Sequence, residues 1–348
     1  MPRLVPFTLD VDLLPKAWGG TRLGALYGSS TPRLGEAWLC ADLASTSVSG
    51  AGGQAMISDV LAPASHGPRT LHEVVQADSE ALLGFRALRF PLLVKLLDAA
   101  EHLSVQVHPS PTYAASHPAA HLKSEAWYVL EAEPGAVLML GVRDITSPAG
   151  LAAAALAGTL ADRVERVPAE AGRCCWLPSG LVHALGGGSL VFEVQTASDT
   201  TFRLYDWAAE YARAPREMHV TEGALATDFS ARPVWGPSGL DAGEGLVIET
   251  PDFQLARVGP GTTGLVERVL PEARAPRAHL IVPLGAEARL TDDGVSLRLP
   301  AARVTVVPAT EARRWTLSTG PAGMALIVRV AAPGDGGGGV GSAPVTGC

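Results

Sequence analysis

The sequence has no long basic stretch. Its 27 Lys and Arg against 35 Asp and Glu leave a formal charge of -8, which argues against a nucleic-acid or anionic-membrane surface. A phosphate ligand stays open, because a few cations in one pocket suffice to hold it. Cysteine is scarce: Cys40, Cys174, Cys175 and Cys348 form no CxxC pair and no spacing of a disulfide framework. The opening MPRLVPFTLDV lacks the basic and long apolar regions of a signal peptide. The longest apolar runs, such as LAAAALAGTLA, are too short and too alanine-rich for a membrane span. These absences point to a reducing cytoplasm, with no nucleic-acid and no membrane partner. No strong amphipathic interface helix stands out either, which favours a monomer.

What is present is globular. Hydrophobic residues make up 47% of the 348 positions and charged residues 18%, the profile of a folded soluble chain. The 38 Gly and 27 Pro are scattered, so many turns separate short apolar segments, as in β architecture. The spacing of Leu71, Val74, Val75, Ala81 and Leu82 predicts a short helix, or two, between Thr70 and Gly84. FPLLVKLLDA (Phe90–Ala99) reads as a buried strand interrupted by Lys95, and two strands flank the turn Glu133-Pro134-Gly135. Pro148 to Val164 has helical composition. We expect a first β domain with helical insertions over 1–215, a linker over 216–240, a second β domain over 241–331, and a disordered tail over 332–348 with too little apolar surface to order itself.

LSVQVHP (Leu103–Pro109) places Gln106 and His108 two apart in an apolar run. Residues two apart share a strand face, so the pair turns away from Val105 and Val107. Further on, GRCCWLPSGLVHALGG carries Pro178-x-Gly180, a tight turn, and then His183. This resembles the second signature of the cupin superfamily of jelly-roll β-barrels, although that family's usual Asn is here Gly187. The first cupin signature reads Gln106-x-His108, with Glu125 displaced by an inserted segment. Four motifs in order resemble one family more closely: Gln-x-His-Pro, then Lys123-x-Glu125-x-Trp127-Tyr128, then Pro-x-Gly-x-x-His, then SDTTFRLYDW. The chain is similar to the zinc-dependent mannose-6-phosphate isomerases of the short bacterial form, over residues 1–210 or so.

The resemblance implies a mainly β fold of two jelly-roll, cupin-like β-barrel domains with a few short helices. It implies one Zn2+ per chain, with Gln106, His108, Glu125 and His183 in the places of the four ligands. The residue types suit that: two imidazoles and one carboxylate bind divalent transition metals, and a single anionic ligand leaves the ion a strong Lewis acid. The implied reaction is the reversible conversion of mannose 6-phosphate to fructose 6-phosphate through an enediol. Such a site needs a base, a stabiliser for oxygen charge and a grip on phosphate.

Arg203 matches the family's active-site arginine; it stays protonated, so stabilising an enediolate suits it better than acting as base. The structural alternative is an ion pair with Asp206 or Glu193. Lys95, costly in a buried strand unless it reaches a cavity or partner, and Lys123 correspond to pocket lysines of the family, for phosphate contact or proton transfer. Ser104 is a candidate phosphate donor, Trp18 and Glu36 fall in the family's WGG and GE-x-W segments, and Asp206 shapes the pocket or braces Arg203. His117 and His121 read as surface residues, and Cys174 and Cys175 as buried thiols rather than ligands. Two other functions fit a cupin: an iron- and oxygen-dependent oxidoreductase, and a non-catalytic sugar-phosphate binder.

Overall fold

The computed structural model describes residues 4–44, 56–61, 67–237, 244–271, 273 and 275–333. Cys348 and most of the expected tail lie outside the described residues, as do residues 238–240 of the expected linker. Two antiparallel sheets build the first half. The larger runs Val234–Trp235, Cys174–Leu177, Glu125–Ala132, Ser189–Thr196, Leu92–Ala99, Asp12–Gly20, Leu34–Cys40. The smaller runs Val164–Pro168, Val137–Val142, His183–Leu185, Val105–Val107, Phe202–Tyr205. A second pair of sheets follows, six strands with Met324–Val330 near the centre and four strands around Ala288–Asp292. The fold is mainly β, in two jelly-roll-like layered units whose sheets are open rather than closed into barrels.

The largely apolar run Leu92–Ala99 has a physical reason. Every residue of this strand is buried, because both faces of its sheet are covered. On the outer face Leu92, Val94, Leu96, Phe192 and Val194 pack with Leu71, Val75 and Leu82 of a helix and with Leu280, Val306 and Val328 of the second unit. That helix spans Leu71–Leu83 and starts with a capping box: Thr70 accepts from the Glu73 N–H and Glu73 reaches back to the Thr70 N–H. Asp78 leaves helical geometry inside it, so the apolar periodicity was that of a kinked pair. The helix ends at Gly84 (φ 81°), where an added Cβ would lie 2.2 Å from the Pro276 carbonyl oxygen of the second unit.

Three further contacts tie the halves together. Phe7–Thr8 joins the second unit's sheet, pairing with Val306 and Thr305. Tyr27 Oη donates to the Ala302 carbonyl at 2.6 Å. Ser124, between Lys123 and Glu125, donates to Asp252 Oδ2 at 2.8 Å. Residues 216–240, expected as linker, instead carry the helix Val220–Ala226 and the strand Val234–Trp235, which pairs with Cys175 and Trp176. The helical stretch from Pro148 is a helix only to Leu156, followed by a 3-10 turn at Leu160–Asp162.

The Trp18-Gly19-Gly20 segment needs its glycines for close approach. A Cβ on Gly19 would lie 2.2 Å from the Arg33 carbonyl oxygen, and one on Gly20 would lie 2.4 Å from Asp98 Oδ2. The same Asp98 carboxylate accepts from the backbone of Arg22 at 2.7 Å and so fixes the start of the next helix. Gly19→Ala should therefore destabilise the fold by about 2 kcal/mol or more, whereas Gly320→Ala, with nothing within 4 Å of the added Cβ, should be near neutral in the same urea unfolding series.

His279 is fully buried. Burial, reinforced by Arg329, lowers its pKa to about 3. Folded His279 is neutral while the unfolded side chain takes up a proton below its ordinary value near 6.5, so this contribution to stability is intact above that pH and is lost on acidification towards 3. His279→Leu should flatten the fall in unfolding free energy across that window; an unchanged slope would contradict the assignment.

Candidate metal centre and its cavity

Register across the large sheet puts polar residues in rows on its inner face. One row runs Trp38, Lys95, Glu193, Trp127 and Cys175, each directly opposite the next. The adjacent row holds Leu93, Gln195, Glu125 and Leu177. In the facing sheet Gln106 lies between His183 on one neighbouring strand and Arg203 on the other. The alternation that set Gln106 and His108 apart from Val105 and Val107 thus faces them towards Glu125.

His108, Glu125 and His183 offer ligand atoms that all lie within 4.8 Å of one another, and all three residues are buried. His108 Nε2 is 3.3 Å from Glu125 Oε2, and His183 Nε2 is 3.2 Å from Glu125 Oε1. Each imidazole is fixed from behind: His108 Nδ1 donates to the Thr200 carbonyl and His183 Nδ1 to the Leu181 carbonyl, both at 2.8 Å. That arrangement leaves the Nε2 lone pairs turned inward, as metal-binding histidines require. The Gln106 carboxamide lies 3.3 Å from His183 Nε2, and a half-turn of the amide presents its oxygen there.

The donor set fits a divalent cation on the evidence of its unmet needs. His108 Nε2 and both Glu125 oxygens are buried and make no hydrogen bond of good geometry, although Lys123 and the imidazoles stand 3.1 to 3.3 Å from the carboxylate. Orphaned polar atoms of this kind are costly unless something charged satisfies them. Burial, then Lys123, hold the His108 pKa down to about 3, so the ring is neutral and free to ligate. Burial pushes the Glu125 carboxyl up, but the opposing effects, led by the Lys123 charge at 3.1 Å, outweigh it and keep the group ionised.

A cavity of about 330 Å³ opens beside this centre, lined by Trp18, Glu36, Lys95, Ser104, Gln106, Lys123 and Arg203 among others. The structure therefore gathers the expected residues around one space, with Asp206 set behind the wall. Asp206 is committed to Arg216, accepting from its Nε at 2.6 Å and its backbone N–H at 3.0 Å, and stands 4.0 Å from Arg203 Nε. Arg203 also donates to the Glu217 carbonyl at 2.6 Å. Ser104 Oγ is 3.4 Å from Gln106 Oε1. Glu36 Oε2 accepts from Trp38 Nε1 at 2.6 Å. His117 and His121 are exposed, and Cys174 and Cys175 are buried free thiols whose pKa values burial raises.

Glu193 is a cavity residue to which motif reasoning gave no role at the site. It is buried, 3.5 Å from Lys95 Nζ, and accepts from Trp127 Nε1 at 3.0 Å. Burial, then the charge of Glu125, raise its pKa against the opposing pull of Lys95. A carboxylate inside the apolar run SLVFEVQT was the available signal. Lys95 and Glu193 are each costly alone and face each other across neighbouring strands.

A family model described as phosphomannose isomerase type I, catalytic domain, matches residues 7–141. The chain is 31% identical over 237 residues to a mannose-6-phosphate isomerase of Streptococcus mutans, covering 66% of this chain and 71% of that one. It is 35% identical over 222 residues to the mannose-6-phosphate isomerase ManA of Bacillus subtilis, covering 63% and 66%. In fold it is similar to the crystal structure of a Bacillus subtilis mannose 6-phosphate isomerase, with a TM-score of 0.72 and 23% identity over 94% of this chain and all of the other.

The centre makes a prediction that needs no substrate. Purified protein should retain a divalent metal through dialysis, and Glu125→Gln should weaken its affinity by at least about 100-fold, since the substitution removes the cluster's anionic ligand. Metal content by elemental analysis and binding by calorimetry check this; wild-type affinity in Glu125→Gln would sink the ligand assignment.

Proposed function

The chain belongs to the mannose-6-phosphate isomerase family, and we propose that it interconverts mannose 6-phosphate and fructose 6-phosphate with one zinc ion held by His108, Glu125, His183 and the Gln106 amide oxygen. The observation that carries this reading is the convergence of buried, unsatisfied ligand atoms at the edge of a cavity lined with cations and carboxylates. Zinc bound there would polarise substrate oxygen as a Lewis acid.

The remaining chemistry falls to side chains of the chain itself. Aldose–ketose conversion moves a proton between adjacent carbons through an enediol, so a group must take and return that proton. We assign this to Glu193. It lines the cavity, its Oε1 has no hydrogen-bond partner, and its raised pKa makes it a better base than an ordinary carboxylate. Burial, then Glu125, raise that basicity, while Lys95 at 3.5 Å limits it and Trp127 fixes the other oxygen. Lys95 is itself held charged: burial opposes the charge, but Glu193, Glu36 and Glu125 prevail. Arg203, beside Gln106 in register, supplies fixed positive charge where enediolate oxygen develops. Lys123 keeps Glu125 ionised and faces the same space. Trp18, Glu36 and Ser104 complete the sugar-binding wall.

The proposal extends to a monomeric enzyme of the cytoplasm. The free, buried thiols Cys40, Cys174 and Cys175 suit a reducing compartment. No helix among the described residues is long and apolar enough to cross a membrane.

Metal-stripped protein should lose turnover of mannose 6-phosphate and regain it with zinc, as followed by fructose 6-phosphate formation. In the loaded enzyme Glu193→Gln should lower kcat by about 100- to 10,000-fold, the range for removing a proton-transfer group, with metal content unchanged. Near-normal kcat in that variant would remove Glu193 from the proton path.

A further inference from the structure

Three of the cations around the cavity are matched one to one with carboxylates. Lys16 stands 3.2 Å from Glu36, Lys95 3.5 Å from Glu193, and Lys123 3.1 Å from Glu125. The other two, Arg203 and Arg216, both lean on the same carboxylate, Asp206. Asp206 spends both oxygens on Arg216, through its Nε and its backbone N–H. Arg203 Nε is left buried without a hydrogen-bond partner. Besides Asp206, the charges that weigh most on Arg203 are Arg216, which repels it, and Glu217, whose side chain is 85% exposed and screened by water. Asp199 lies on the same cavity wall. One end of the cavity thus carries two neighbouring guanidinium groups that lean on the same carboxylate, an arrangement that a doubly charged anion would relieve.

We infer that Arg216 is the phosphate anchor of this site and so determines its specificity for phosphorylated sugar. The inference rests on the reading of the substrate as a hexose 6-phosphate. In such a substrate the sugar chain separates the reacting carbons from the phosphate. The wall follows that order: the Gln106 and His183 pair at the metal centre, then Arg203 beside Gln106, then Arg216 across Asp206. A guanidinium fork matches two phosphate oxygens at once, which a lysine ammonium does not. Asp206 is then a positioning residue: its two bonds hold Arg216 against the wall, with the side chain still about a third exposed towards an arriving ligand. Arg216 lies at the start of the stretch the sequence suggested was a linker, and the loop from Asp206 carries it back to the cavity.

The test uses the zinc-loaded enzyme with Arg216→Gln and Arg216→Lys, measuring KM and kcat for mannose 6-phosphate and the competitive Ki of inorganic phosphate. Loss of a charged, two-point contact should raise both KM and Ki by about 10- to 100-fold in Arg216→Gln. kcat should change much less, and Arg216→Lys should recover part of the loss. A Ki for phosphate unchanged in both variants would overturn the inference, as would a fall in kcat with KM preserved. If Arg216→Gln fails to fold, the lysine variant alone decides, because a charge without the fork should still weaken phosphate. Calorimetric titration of inorganic phosphate into wild type and variants reads the anchor without turnover, so inactivity of the wild type would count against the isomerase reading and leave this one to be judged by the titration.

Discussion

The constraint on which the site depends is an ionised carboxylate kept dry. Glu125 is fully buried, and its oxygens have no hydrogen-bond donor of ordinary geometry, only cationic or metal-ligating neighbours at about hydrogen-bond distance. A charge so placed is tolerable only if opposite charge is supplied locally. Lys123 supplies part of it, and the two inward-facing imidazole lone pairs call for a cation to supply the rest. The backbone carbonyls of Thr200 and Leu181 decide the imidazole tautomers, so loop geometry outside the cavity determines what the centre can hold.

The same economy governs the wall. Lys95 and Glu193 would each be costly alone in an apolar sheet. Placed directly opposite on adjacent strands they neutralise one another, and Trp38 adds a ring 4.7 Å from the ammonium. Both faces of this sheet are covered, the outer one by a helix and by the second unit, so water does not compete for those pairs from behind. Strong fields at the cavity follow from that coverage.

Much of this was legible from local pattern. Two-residue alternation marked Gln106 and His108, the lone Lys95 in an apolar run marked a cavity, and four ordered motifs named the family. The mainly β class followed from scattered Gly and Pro. What was not legible depends on long-range register. Glu193 carried the same burial anomaly as Lys95, but nothing local says that the two strands are neighbours or that the residues are level. Arg216 was hidden because a Pro- and Gly-rich stretch reads as linker until its hydrogen bonds to Asp206 are seen. Asp206 was expected to shape the pocket or brace Arg203; that it stands behind the wall and holds Arg216 is a matter of side-chain direction, which local pattern does not give. The missing cupin Asn also finds its reason in contact: Gly187 donates to His102 Nδ1 at 2.8 Å, and a Cβ there would press on the Ala100 carbonyl at 2.9 Å.

The strand Phe7–Thr8 completes a sheet whose partner strand is Thr305–Val307. Thr8 and its partner Thr305 are 297 positions apart, so this ladder cannot close until the chain has been made well past the ligand-bearing strands. Loop-closure entropy over such a span slows assembly, and the outer face of the ligand-bearing sheet stays uncovered until the later half arrives. A fragment carrying all four candidate ligands would thus still lack the second unit's layer behind the sheet that bears Glu125.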